Sequence, residues 1–436
     1  MAREANTATM LTLAGEIFGQ TYQLEKFMKE KSIKEPSLAV GAYTELWSSH
    51  TTEIATAQTS ILDLTQKLTK LLYGPHGFLH EYVSSNWEYG ALYTVLEFDI
   101  LEKIPLDGEV HVSELAMLSG LPENKLLRIL RLVACEQILE ETSEQVFRHT
   151  VISEELVRNK KMKAWVGFQL FETRVASAHL ADSLKHRNDF QTGSSAFKHA
   201  WGASMYDWHK AHPEKFARFN LAMQGVTQSL DPGNGLFCDW FNSNKRNKHR
   251  NLVVYIGARD GHVYQYLAEQ YPDISVEVQD NSEQLLTQGQ KSLPPDLQPR
   301  ITYTKREIFT PQPAPSSPDN QTLAFILRNV LWNLSDSDAI TLLRTFIPVL
   351  EASPETVILV NDMLSPARGE FDAQTEKAYR RRDITVMTMH NAKQRTEGDW
   401  RQLFEAVSPH FVVRGWTAFT SHAYRGLWEI KWVLAN

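Results

Sequence analysis

Apolar positions along this chain follow one rhythm in its first half and another in its second. Ile54, Ile61, Leu64, Leu68 and Leu71 recur at helical spacing and predict one face of a helix over 51–72. GPHG at 74–77 is expected to stop it. A second amphipathic helix is predicted over 86–103, closed by Pro105. In the stretch HVSELAMLSGLPENKLLRILRLVACEQILEE, Ser113 is expected to cap one helix and Pro122 to open the next. Leu126, Ile129, Leu130 and Val133 form the apolar stripe of that second helix. QVFRHTVIS at 145–153 reads as a short strand. Two helices followed by a strand ribbon predict a winged-helix module. Its second helix has few basic residues for a DNA groove, so a packing role is expected. Residues 156–230 read as mostly helical and rich in aromatic residues.

From residue 252 strands alternate with helices. LVVYIG, SVEVQD, ITYTKREIF, TLAFILRNVL and TVILVNDML read as strands. HVYQYLAEQYP and SDSDAITLLRTFIPVLE, the latter capped by Ser335, read as helices. The tail RGLWEIKWVLA reads as a late strand pair. Such alternation predicts an α/β domain with a parallel sheet covered on both faces. Four segments are expected: an N-terminal helical arm over 1–50, a winged-helix-like domain over 51–155, a helical linker and substrate lid over 156–240, and a Rossmann-like domain over 241–436.

Composition narrows the class. The chain has 436 residues, 45 basic and 52 acidic, a net charge of −7, so no overall field attracts nucleic acid or an anionic membrane. Two cysteines exclude a disulfide framework and suit a reducing compartment. No apolar run approaches a membrane span, and the N-terminus lacks a secretion-signal pattern, so a cytoplasmic protein is expected. No histidine spacing suggests a metal site.

In a parallel sheet, ligands sit beyond the carboxyl ends of the strands. Gly257 and Gly261 stand in the turn after the first such strand, where glycine lets backbone approach a ligand. Asp280 ends the second strand, where an acid can hold ribose hydroxyls.

These pieces resemble the fungal and plant O-methyltransferases that use S-adenosylmethionine, from about residue 50 to the end. The resemblance is carried by GALYTVLEFDILEKIP, by the order SELAMLSGL, LLRILRLV, FRHTVIS, and by FARFNLAMQG. LVVYIGARDGHVYQYLAEQYPDISVEVQD, REIFTPQP, LRNVLWNLSD and RRDITVMTMHNAKQRTEGDW continue it. It implies a winged-helix dimerisation domain, a class I methyltransferase domain and a homodimer. It also implies an S-adenosylmethionine site at Gly257, Gly261, Asp280 and Glu307.

The chain departs from the family at several positions. Tyr255 stands where the family has an acid, and Ala258 and Arg259 replace two glycines and crowd the turn. Trp332 and Asn333 stand where the family has His-Asp, and Gln394 where it commonly has glutamate. An indole N–H only donates and an amide does not titrate, so the base and its orienter are both missing. A pocket over Phe168, Met205, Trp208, Met223, Thr227, Trp332, Met387, His390 and Asn391 is expected to persist. Apolar walls with a few donors suit a pericyclic reaction, which needs shape and a hydrogen bond rather than a base.

The chain therefore resembles the O-methyltransferase-like pericyclases of fungal 2-pyridone and related polyketide–peptide pathways, some of which keep S-adenosylmethionine as a charge. The reading is a pericyclase of fungal secondary metabolism, acting on a quinone-methide or polyene intermediate by dehydration, cycloaddition or Alder-ene closure. His149 is the candidate acid or base, Thr227 and Asn333 candidate hydrogen-bonding residues, and Trp332 a shaping residue and donor. The alternatives are a methyltransferase for an acidic phenol or enol, and an inactive partner subunit.

Overall fold

The computed structural model describes residues 9–48, 52–185, 195–230, 235–244, 250–257, 261–313, 321–419 and 424–433. The chain falls into two compact units. The first comprises residues 1–174, 217–223 and 369–378, and the second comprises 175–216, 224–368 and 379–436.

In the first unit, Thr9 caps the helix Met10–Lys31, its Oγ1 accepting the Thr12 N–H at 3.1 Å. The helical stretch Thr52–Glu97 is broken once, at Gly74, whose φ of +63° no helix can hold. GPHG therefore does stop the first helix. The next begins at once rather than at residue 86, because Pro75 suits a first helical turn. After Glu97 only a single tight turn, Leu101–Lys103, remains.

The winged module follows. Strands β1 (Glu109–His111), β2 (Leu139–Ser143) and β3 (Val146–His149) form a sheet in the order β1-β3-β2. Pairing of β1 runs through His111, so His111 rather than Ser113 caps the helix Val112–Ser119. Pro122 is likewise the cap of the helix Glu123–Cys135 rather than its first residue. Strand β3 is shorter than its sequence suggests. Thr150 leaves it to cap the helix Val151–Arg158, with Ser153 returning the hydrogen bond. Leu126, Leu130 and Val133 are buried with Val95, Ile100, Leu115 and Phe147, while Ile129 is half-buried at the margin.

The second unit is built on strands β4 (Arg250–Ile256), β5 (Ser275–Asp280), β6 (Ile301–Lys305), β7 (Gln321–Arg328), β8 (Val357–Met363), β9 (Phe411–Phe419) and β10 (Tyr424–Trp432). They pair in the order β6-β5-β4-β7-β8-β10-β9. The first five are parallel, and β10 lies antiparallel to both β8 and β9. This is the α/β sheet expected, with its late pair formed by β10 and a strand from 411 that the tail reading left out.

Alternating residues serve two cores. Val253, Tyr255, Val276, Val278 and Ile326 pack with Val263, Tyr264, Leu267, Trp240 and Phe241. Val254, Ile256, Phe325, Leu327, Val360 and Trp428 pack with Leu342, Phe346, Leu350, Trp400 and Phe404. Both faces are covered, which is why these strands read as continuous apolar runs. The segment after Ser335 forms two helices, Asp336–Arg344 and Ile347–Ala352, where one was expected. Pro348 in the first turn of the second is compatible with that restart.

Candidate active site

Strands β5 and β7 flank β4 on opposite sides, so a crevice is expected beyond the carboxyl end of β4. Gly257 leaves β4 at φ +97°, a conformation L side chains rarely adopt, and its N–H donates to the Gln279 carbonyl at 2.8 Å. Among the described residues, a Cβ there would meet only Val330 Cγ2, at 3.9 Å. Gly261 opens the helix Gly261–Gln270. Ala258 and Arg259 lie outside the described residues.

Asp280 ends β5. Its Oδ1 accepts the Ser282 N–H at 2.8 Å, and Ser282 caps the helix Glu283–Ser292. Exposed Glu307 accepts weakly from Asn281 at 3.4 Å, which brings it to the Asp280 end of β5. Tyr255 is buried and edge-on to Tyr264 at 5.4 Å, so the position of the family's acid belongs to the core. The glycine turn with an acid on the next strand fits a nucleoside-bearing ligand.

The loop after β7 carries the second half of the site. Arg328 donates to Asn361 at 3.0 Å. Asn329 has φ +54° and accepts from Arg425 at 2.8 Å. Leu331–Asn333 form one tight turn, and Asn333 donates back to the Asn329 carbonyl at 3.2 Å. Trp332 is half-buried, and its Nε1 has no hydrogen-bond partner among the described residues. The buried Gln394 amide also lacks one, while its backbone N–H donates to Asp383 at 2.8 Å. Arg395, fully buried, pins this turn by donating to the carbonyls of Leu331 (2.8 Å) and Leu334 (2.9 Å) and to Asp336 (2.8 Å).

Beside the turn stands Asp362, near the end of β8 and 0 % exposed. Its Oδ2 accepts the Leu331 N–H at 3.1 Å, and its Oδ1 has no partner among the described residues. Burial pushes its carboxyl up to about 7, against the pull of Arg425, Arg395 and the N–H groups of Leu331 and Trp332. The folded protein thus binds this proton more tightly than the unfolded chain. The resulting stabilisation is complete below the ordinary value of 3.8 and is lost as pH rises through about 7. The sequence places TVILVNDML on a strand, and its acid received no role there. An ionisable residue inside an apolar run was the available signal.

The remaining candidates divide between the units. Met205 and Trp208 are buried on the helix Met205–Ala211, with Trp208 stacked on His212 at 4.2 Å. Tyr206 of that helix stacks on His390 at 5.4 Å. Met387 accepts the N–H of Asn391, which ends its helix at φ +55°. Phe168 is buried in the first unit, 5.2 Å from Phe219, and Met223 is half-buried there. His149 is buried in the wing, with one ring nitrogen 2.9 Å from Ser153 Oγ and the other 3.1 Å from the Ile104 carbonyl. Burial lowers its pKa, with the Ile104 and Leu101 carbonyls opposing. Thr227 lies in the helix Pro213–Leu230, but its side chain is outside the described residues.

An O-methyltransferase domain matches residues 178–408. The chain belongs to the O-methyltransferase family. It is 45% identical to O-methyltransferase phnC of Penicillium herquei, over 93% of this chain and 96% of that one. Its fold is similar to that of a pericyclic reaction enzyme (TM-score 0.69, 20% identity, 86% of this chain and 94% of that chain). It is also similar to OxaC in complex with SAH and oxaline (TM-score 0.75, 16% identity, 97% and 99%). At those identities the structural likeness speaks for the fold alone. Among the described residues no helix is long and apolar enough to cross a membrane, and no cluster of three or more His, Cys, Asp or Glu could hold a metal.

Proposed function

We propose that this enzyme transfers a methyl group from S-adenosylmethionine to an acidic enol or phenol of a polyketide-type small molecule. The observation that carries this reading is the 45% identity to phnC over nearly the whole of both chains. The turn at Trp332 then decides the kind of acceptor. With neither Trp332 nor Gln394 able to titrate, a hydroxyl that already ionises near neutrality is favoured over an ordinary phenol.

Gly257, Gly261, Asp280 and Glu307 would hold the cofactor, with the glycine backbone along it and Asp280 on its ribose. When bound, it supplies an electrophilic methyl group. The chain's own part is to bind and orient the acceptor and to keep water away. Trp332 offers its unpaired N–H to an acceptor carbonyl, and Asn333 offers its amide.

The second reading is the pericyclase. The Trp332 Nε1, which has no hydrogen-bond partner among the described residues and could donate to a carbonyl, favours it. Expression of the neighbouring biosynthetic genes with and without this chain separates the two. A product heavier by one methyl substitution is expected. A product of unchanged mass with new retention, or one lighter by a water, would replace methyl transfer with ring closure.

We propose further that the enzyme works as a homodimer. Along Thr52–Glu97, Leu72, Leu79, Tyr82, Val83 and Trp87 are exposed, Trp87 by 70%. An exposed apolar set of that size, with Leu79, Tyr82, Val83 and Trp87 on the helix after Gly74, suits a second copy of the chain. A monomer in equilibrium sedimentation at micromolar concentration would exclude it.

A further inference from the structure

Asp280 and Glu307, both set on the cofactor by the reading above, stand on separate pieces of chain. Asp280 ends β5, and β6 leaves the ladder opposite it, at Lys305. Glu307 follows on an exposed loop and accepts weakly from Asn281. The spacing of the two acids therefore depends on what holds that loop.

The loop is tied at both ends. At its start the Arg306 N–H donates to the Asp280 carbonyl at 2.9 Å. Thr310 folds it back, donating its N–H (3.2 Å) and its hydroxyl (2.6 Å) to the Glu307 carbonyl. At its end the Gln312 N–H donates to the Thr345 carbonyl at 3.3 Å. The Gln312 side chain then exchanges two hydrogen bonds with Gln279. Gln279 Nε2 donates to Gln312 Oε1 at 3.2 Å, and Gln312 Nε2 donates to Gln279 Oε1 at 2.8 Å. Both side chains are buried, and Gln279 Nε2 also donates to Glu277 at 3.0 Å.

Gln279 is thus a junction. Its carbonyl accepts the Gly257 N–H at 2.8 Å, its chain neighbour is Asp280, and its side chain holds the Glu307 loop. Strand alternation puts that side chain on the face opposite Val276, Val278 and Asp280. A buried amide pair is a poor source of stability. Each amide gives up water, and two apolar side chains of similar shape would fill the space at little or no cost. What the pair adds is direction, since two reciprocal bonds fix both separation and rotation.

We propose that Gln279 and Gln312 are positioning residues that fix the Glu307 loop so that Glu307 and Asp280 hold one nucleoside together. This rests on the cofactor reading above. A carboxylate accepts hydrogen bonds and does not donate them, so a base bearing an amine suits Glu307 and one bearing a carbonyl there does not.

Calorimetric titration of the whole protein with S-adenosylhomocysteine, and with S-inosylhomocysteine, which carries a carbonyl in place of the amine, tests this beside denaturant unfolding. Gln279→Met and Gln312→Met are each expected to lose stability, because each leaves a buried amide unpaired. The double variant is expected to regain most of that loss. Affinity should not follow stability. In the double variant, affinity for S-adenosylhomocysteine is expected to fall about tenfold or more, the worth of a hydrogen bond to a charged group. The weaker affinity for S-inosylhomocysteine should barely change. A folded double variant that keeps the wild-type preference for the adenosyl compound overturns the proposal, whether both affinities hold or both fall together. A wild type that binds the two compounds alike overturns it as well. Should the double variant fail to fold, Gln312→Met decides by the same ratio, since it breaks both amide bonds. A wild type that binds neither compound would instead sink the cofactor reading, and the proposal with it.

Discussion

Arg395→Met is expected to destabilise the second unit by about 3–5 kcal/mol and to disorder the turn that carries Trp332 and Asn333. The side chain is 0 % exposed and lies over the Trp400 ring at 5.0 Å. Methionine replaces its packing but none of its hydrogen bonds. The carbonyls of Leu331 and Leu334 would be left unpaired, and each such loss costs about 1–3 kcal/mol. Asp336 adds little to the sum. Its side chain is half exposed, and Lys393 remains 3.2 Å away to pair with it. Arg395→Lys should recover only part, since one ammonium cannot reproduce a planar fork that reaches three acceptors. Denaturant unfolding of the two variants checks this. A loss below about 1 kcal/mol in Arg395→Met would mean that the turn holds itself.

The double substitution Trp332→His with Gln394→Glu is expected to raise methyl transfer to an ordinary phenol by about a hundredfold, the low end of what a positioned base contributes. Neither change should suffice alone. Trp332→His supplies an imidazole with no carboxylate to orient it. Gln394→Glu buries a carboxylate where the amide already finds no partner among the described residues, so it should lower stability until the imidazole is present. A double-mutant cycle on initial rates measures the coupling. Additive rates, with both variants folded, would show that positions 332 and 394 do not act as a pair. A new methylated product from the double variant, beside a wild type that closes a ring instead, would favour the pericyclase reading.

Much of the fold was legible because it rests on local rules. Helical spacing from Ile54 to Leu71, the break at Gly74 and the strand–turn–helix around Gly257 each depend on a few neighbouring residues. The misplacements were also local, at boundaries. Pro75 restarts a helix that the composition of 77–85 gave no reason to start there. Thr150 ends β3 because its side chain and that of Ser153 cap a helix, although VIS taken alone looks extended. Strand β9 was missed because its pairing partner, β10, was what made it a strand.

The site was legible in part. Gly257, Asp280, Trp332, Asn333 and Gln394 could be named because each stands at a fixed offset within a motif. What could not be named was the set of side chains that hold them. Arg395 reaches back over sixty residues to the Leu331 carbonyl, Arg425 nearly a hundred to Asn329, and Leu331 forward about thirty to Asp362. None of these pairs has a spacing rule.

The sequence by itself determined an α/β domain behind a winged helical one, a glycine turn with an acid on the next strand, and the absence of a titrating residue at 332 and 394. The first two follow from residue identity and short-range periodicity, and the weight of positions 332 and 394 follows from the family resemblance. Only the tertiary structure decided that His149 is enclosed in the wing with both ring nitrogens engaged, and that Asp362 is a buried carboxyl with an unengaged oxygen beside the Trp332 turn. The reason is physical. An acid's ionisation depends on how much water and which charges surround it, and both are set by strands and helices distant along the chain.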